Sequence, residues 1–107
     1  MTSFDDREKA AETKFARDEE MAFRVSARRN KLVGLWAADK MGLMGEDADS
    51  YAKSVVHADF EEAGDEDVIR KLMGDLTAAN VETNDEEIRQ TLSDKAVEAR
   101  RQLMEAP

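Results

Sequence analysis

The stretch FDDREKAAETKFARDEEMAFRVSARRNKLVGLWAADKMGL, residues 4–43, decides how this chain folds. Phe4, Ala11, Phe15, Ala22, Val25, Leu32, Trp36 and Leu43 recur along it at steps of seven, four, seven, three, seven, four and seven. At about 100° per residue all eight fall on one stripe, which predicts a long helix over residues 5–43. The stripe changes character at Met21. Beyond that point it is dense, with Phe23, Val33 and Leu35 beside it; before it, Phe4 and Phe15 are the only large anchors after Met1. So sparse a helix is marginal in water by itself. Residues 1–18 are therefore expected to form a partly flexible helical arm, and residues 19–107 the packed domain. Sparse aromatic anchors on a charged arm suit insertion of a helix into a partner's groove. Phe4 and Phe15 could equally fold back onto the domain, and the spacing does not separate these two readings.

Downstream, glycines and capping residues divide the chain. The GLMG stretch at Gly42 to Gly45 favours a turn, because glycine adopts positive φ without steric cost. A second helix is predicted over residues 47–63, with Ala48, Ala52, Val55, Val56, Phe60 and Ala63 near one face and Gly64 at its end. In a third, Asp65 is placed to cap the free amides, Glu66 and Asp67 complement the helix dipole, and Val68, Ile69, Leu72, Met73 and Leu76 form the buried stripe. Asn80 is the expected stop. Asn84, with Glu87 three residues on, has the spacing of a capping box and opens a fourth helix through Ile88, Leu92, Ala99 and Leu103. No strand-like alternation competes. Short connections imply antiparallel neighbours, hence an all-α fold: a small four-helix bundle with a helical arm.

The composition narrows function by exclusion. Cys is absent, which removes disulfides and thiolate metal sites and suits a reducing cytoplasm. No apolar run approaches the roughly 20 residues needed to span a bilayer, and the charged N-terminus does not read as a signal peptide, so no membrane insertion is expected. The net charge of −9 is unevenly spread: −3 over residues 1–20, +4 over 21–40 and −10 over the rest. A body this acidic repels nucleic acid and anionic membranes. The single His, His57, sits with Glu61 one turn on, a pairing more often structural than catalytic. No second His or Cys exists to complete a zinc site or a nucleophile and base pair, which argues against hydrolytic and transition-metal chemistry. Acid clusters at 46–49, 61–67 and 85–87 lack the EF-hand spacing and precede helices, where carboxylates serve as caps and dipole partners. Gly34, Gly42 and Gly45 match no phosphate-binding fingerprint. The chain is not expected to be an enzyme.

One electropositive patch remains, Arg28, Arg29 and Lys31 with Arg24 one turn earlier. It could hold a phosphate or pair with a partner's acids. The competing reading has these side chains bridge to acidic helices of their own domain. Trp36 reads most simply as a core anchor.

Three segments carry a resemblance: SFDDREKAAETKFARDEE at residues 3–20, ARRNKLVGLWAADKMGLMG at 27–45, and YAKSVVHADFEEAGDEDVIRKL at 51–72. Together they resemble the zeta subunit of alphaproteobacterial F-type ATP synthase, a family also catalogued as a domain of unknown function. The resemblance runs from Phe4 to about Arg89 and is loose beyond. It implies a four-helix bundle whose N-terminal segment enters a catalytic interface of the synthase's soluble sector, blocking ATP hydrolysis while sparing synthesis. Carried onto this chain, Phe4, Ala11 and Phe15 would be the apolar face of that segment, and Arg7, Lys9, Lys14 and Arg17 would pair with acids of the interface. The resemblance also implies weak ATP or ADP binding, which would fall near Arg24, Arg28, Arg29 and Lys31; no other cofactor and no metal is expected. It implies a cytoplasmic protein, monomeric when free and peripheral at the inner membrane through the synthase. The alternative is a helical, nucleotide-responsive interaction module without inhibitory activity.

Overall fold

Turn chemistry fixes where the first and third helices stop. In the computed structural model, which describes the backbone of residues 3–58 and 65–105 and the side chains of 19–58 and 65–105, four helices follow in order. They are α1 (Ser3–Lys40), α2 (Gly45–Ala58), α3 (Glu66–Ala78) and α4 (Asp85–Glu105). Leu43 N–H reaches back to the Ala38 carbonyl at 2.8 Å, and Gly42 turns the chain at φ +79°. The same device ends α3: Val81 N–H bonds the Leu76 carbonyl at 2.9 Å, and Asn80 takes φ +63°. Both close a free helix end with a residue that tolerates the left-handed region. Because Gly42 already leaves the helical region, α1 ends at Lys40 rather than at the predicted residue 43.

Asn84 caps α4, its Oδ1 accepting from Glu87 N–H at 2.8 Å. Asp65 does not cap α3 with its side chain; the carboxylate instead accepts from Arg29 of α1 at 2.9 Å. α2 starts two residues earlier than predicted, and residues 59–63 of its expected end lie outside the described residues.

Ala37, Val33 and Val55 meet Val68, Ile69, Leu72 and Leu76 of α3 and Ile88 and Leu92 of α4 in one core, with Trp36, Met41, Tyr51, Met73 and Val81 packed around it. On α1 the buried face is Val25, Asn30, Val33, Gly34, Ala37 and Ala38, whereas Ala22 is exposed and Leu32, Trp36 and Leu43 are only half-buried. The burial face thus lies about a quarter turn from the predicted stripe. The reason is that α1 is packed by three helices: α2, α3 and α4 all touch it, while α2 and α4 do not approach each other. Small residues therefore occupy the crowded side of α1, and Trp36 lies at its edge with Lys40 Nζ 5.2 Å from the ring centroid.

α4 runs antiparallel to α1, with Lys40 Nζ 4.0 Å from Glu87 at one end and Arg28 donating to Gln102 at 3.2 Å at the other. Equal rise per residue puts the end of α4 beside about residue 24. α1 carries on to Ser3 past that level, and the molecule is 65 Å long against 26 and 20 Å across.

The α1–α2 contact is tight at Gly34, where an added Cβ would stand 2.7 Å from Ala52 Cα and 3.3 Å from Val55 Cγ2. Gly34→Ala would gain about 1 kcal/mol in helix propensity. The atom in the way is backbone, so α2 must shift as a body, an overpacking cost of about 1–3 kcal/mol. We expect net destabilisation of up to about 2 kcal/mol in urea unfolding. An unchanged midpoint would show that α2 moves aside freely.

Candidate functional site

The four cations singled out in the sequence do not stay together. Arg24, Arg28 and Lys31 line one groove with Phe23, Ala27, Val56 and Leu103, a cavity of about 440 Å³. Arg29 leaves on another side of α1, a turn of about 100° from its neighbour Arg28. Its Nη2 bridges Asn30 Oδ1 and Asp65 Oδ1, each at 2.9 Å, and its side chain is only 12% exposed. Arg29 therefore stands apart from the other three cations. For Arg29 the domain-bridging alternative describes the geometry. Arg28 is held by Gln102 of α4, and Arg24 pairs within its own helix with Glu20 at 2.6 Å. Lys31 alone of the four has no hydrogen bond or ion pair among the described residues.

Phe4, Arg7, Lys9, Ala11, Lys14, Phe15 and Arg17 belong to the N-terminal stretch of α1, and their side chains lie outside the described residues. His57 is an exposed residue of α2, and Glu61 lies outside the described residues. The acidic runs fall in the first turns of three helices: Glu46 and Asp47 on α2, Glu66 and Asp67 on α3, Asp85 to Glu87 on α4. That placement matches dipole compensation. Among the described residues no group of three or more His, Cys, Asp or Glu could hold a metal ion, and no helix is long and apolar enough to cross a membrane.

Two polar arrangements were not legible in the sequence. Asn30 is 1% exposed on the crowded side of α1, and a polar residue in a basic run gives no sign of burial. Tyr51 of α2 donates to Asp75 of α3 at 2.8 Å, while Lys71 Nζ lies 3.0 Å from the same carboxylate and 5.3 Å from the tyrosine ring centroid. Spacing along α3 could have placed Lys71 with Asp75, four residues on. It could not have found the contact across helices.

Burial, reinforced by the hydrogen bond to Asp75 and that residue's negative charge, pushes the Tyr51 phenol above its ordinary value of 10.0. A raised value favours the protonated, folded form. This stabilisation is complete below pH 10 and is lost as pH rises further, because the unfolded chain ionises first. Tyr51 is the sequence's only tyrosine. Phenolate absorbance should hence rise together with loss of helical circular dichroism in alkali. Tyr51→Phe should cost about 1 kcal/mol at neutral pH and lose less stability than the parent above pH 10; a parent whose phenol titrates at 10 while still folded would refute this account.

Comparison with known proteins gives three findings. A family model described as ATPase inhibitor subunit zeta matches residues 1–102. A solved solution NMR structure is 46% identical over 81% of this chain and 99% of that one, with a TM-score of 0.73. No curated protein matches the chain significantly.

Proposed function

Since this chain belongs to the ATPase inhibitor subunit zeta family, we propose that it restrains ATP hydrolysis by an F-type ATP synthase by placing its N-terminal arm, residues 1–18, at a catalytic interface of the soluble sector. The observation that carries this reading is that the family match begins at residue 1 and takes in the whole length by which α1 outruns α4. A helix end without helices alongside gains little from its own domain and is available to a partner's groove. Phe4 and Phe15 supply apolar anchors about three turns apart, with Ala11 between them keeping the face narrow. Arg7, Lys9, Lys14 and Arg17 meet acids of the interface. The bundle, residues 19–107, holds the base of the arm.

The test is ATP hydrolysis by inhibitor-depleted soluble sector from the source organism, titrated with the full chain. Saturable inhibition is expected, with synthesis by energised membrane vesicles unchanged. Hydrolysis unaffected at saturating protein overturns the proposal and leaves a helical interaction module, the nucleotide-responsive one if ATP then shifts its spectra.

A further inference from the structure

Among the described residues, the packing of α1 leaves one of its sides uncovered. α2 reaches it through Gly34 and Ala52, α4 through Arg28 and Gln102, and α2 and α4 do not meet. Between them runs a trough along α1. Toward Ala38, fully buried, it is closed; toward Phe23, 57% exposed, it is open. Phe23, Arg24, Ala27, Arg28 and Lys31 fall at steps of one, three, one and three, the spacing of one helical face two turns long.

The lining has two parts. Phe23, Ala27, Val56 and Leu103 make an apolar floor supplied by three helices, and Arg24, Arg28 and Lys31 make the rim. Among the described residues no acidic side chain lines it, in a chain whose net charge is −9. Arg24 is already paired with Glu20 along its own helix, so the rim's available charge is that of Lys31, exposed and unpaired among the described residues, and of Arg28, which holds only a neutral amide. An apolar floor with a rim of one sign selects an occupant that is apolar on one face and oppositely charged at its edges.

We propose that this trough is a docking site for an acidic amphipathic helix of a partner protein. The partner helix lies along α1 between α2 and α4, its apolar residues at i, i+3 or i+4, and i+7 on the Phe23–Ala27–Val56–Leu103 floor. Its flanking carboxylates face Arg24, Arg28 and Lys31. This site is separate from the arm, uses other residues, and stands whether or not the arm inhibits hydrolysis.

The experiment uses the full chain, labelled with ¹⁵N, and two synthetic helical peptides that share one leucine stripe, flanked by glutamates in the first and by lysines in the second. The glutamate peptide should bind saturably and shift the amides of Phe23, Ala27, Lys31, Val56 and Leu103. The lysine peptide should bind at least about tenfold more weakly. Lys31→Glu and Phe23→Ser alter exposed residues, so helical content should be kept, and each should weaken the glutamate peptide by about tenfold. Equal binding of the two peptides, shifts centred elsewhere, or affinity untouched by both variants overturns the proposal. So does finding that the trough is taken instead by a second copy of the chain, seen by sedimentation, or by phosphatidylglycerol vesicles without response to the glutamate peptide.

Discussion

A chain lacking residues 1–18 is expected to need more than about 100-fold higher concentration to inhibit ATP hydrolysis, with its thermal midpoint displaced by no more than a few degrees. Two aromatic anchors at about 2 kcal/mol each exceed the roughly 2.7 kcal/mol that 100-fold represents, before any contribution from the four arm cations. The bundle is expected to survive because α4 ends beside about residue 24, so the deletion removes no helix–helix layer. The shortened helix would also begin well: Glu19 and Glu20 would stand in its first turn, where carboxylates complement the dipole, and Glu20 keeps its ion pair to Arg24. Hydrolysis assays and a melting curve on the same preparation decide the matter. Retained inhibition would move the activity into the bundle. A collapse of the midpoint would make residues 1–18 part of the core.

Leu72→Ala is expected to cost about 3–4 kcal/mol. Leu72 is fully buried at the centre of α3, among residues of α1, α2 and α4. α3 is the shortest of the four helices, at 13 residues, and holds its place mainly through Val68, Ile69, Leu72 and Leu76. Its neighbours cannot close the cavity without moving helices that also grip α1, so little relaxation will offset the loss. A domain of this length has about 5–15 kcal/mol in total, so the substitution removes a large share. The midpoint should fall by about 10–20 °C. Urea unfolding with an unchanged slope and a lowered midpoint would confirm simple destabilisation. A change below about 1 kcal/mol would mean that α3 contributes little to the core.

The order of the helices and the turns after α1 and α3 were readable because they rest on local chemistry: glycine at 42 and 45, asparagine at 80 and 84, each acting on backbone within a few residues. Asp65 shows where such reasoning stops. A residue of the right type stood at the right place, but a cation 36 positions away took its carboxylate. The rotation of the α1 burial face has a similar origin. Large side chains mark a stripe in sequence, yet a helix gripped by three others needs small ones where the backbones come closest, and Gly34, Ala37 and Ala38 are the quieter signal. For the candidate site, three of four cations share a face because 24, 28 and 31 are helical neighbours. That Arg29 departs follows from the same periodicity, and its destination was not foreseeable. The apolar floor under those three cations was hidden, since Val56 and Leu103 come to it from other helices. The family words in the sequence pointed to the arm; nothing in its residue pattern alone distinguished insertion from self-packing.

That α1 is gripped by α2 on one side and α4 on another, with no contact between those two, sets a timetable for the growing chain. At about 5–20 residues per second the ribosome takes roughly 3–13 s to make the stretch from Lys40 to Glu105. Packing of helices is faster by orders of magnitude, so synthesis sets the pace. α2 follows α1 across a short turn and can lie down along Gly34 early. The flank of α1 meant for α4 stays bare until the end of translation, and this nascent intermediate is the one a chaperone would meet.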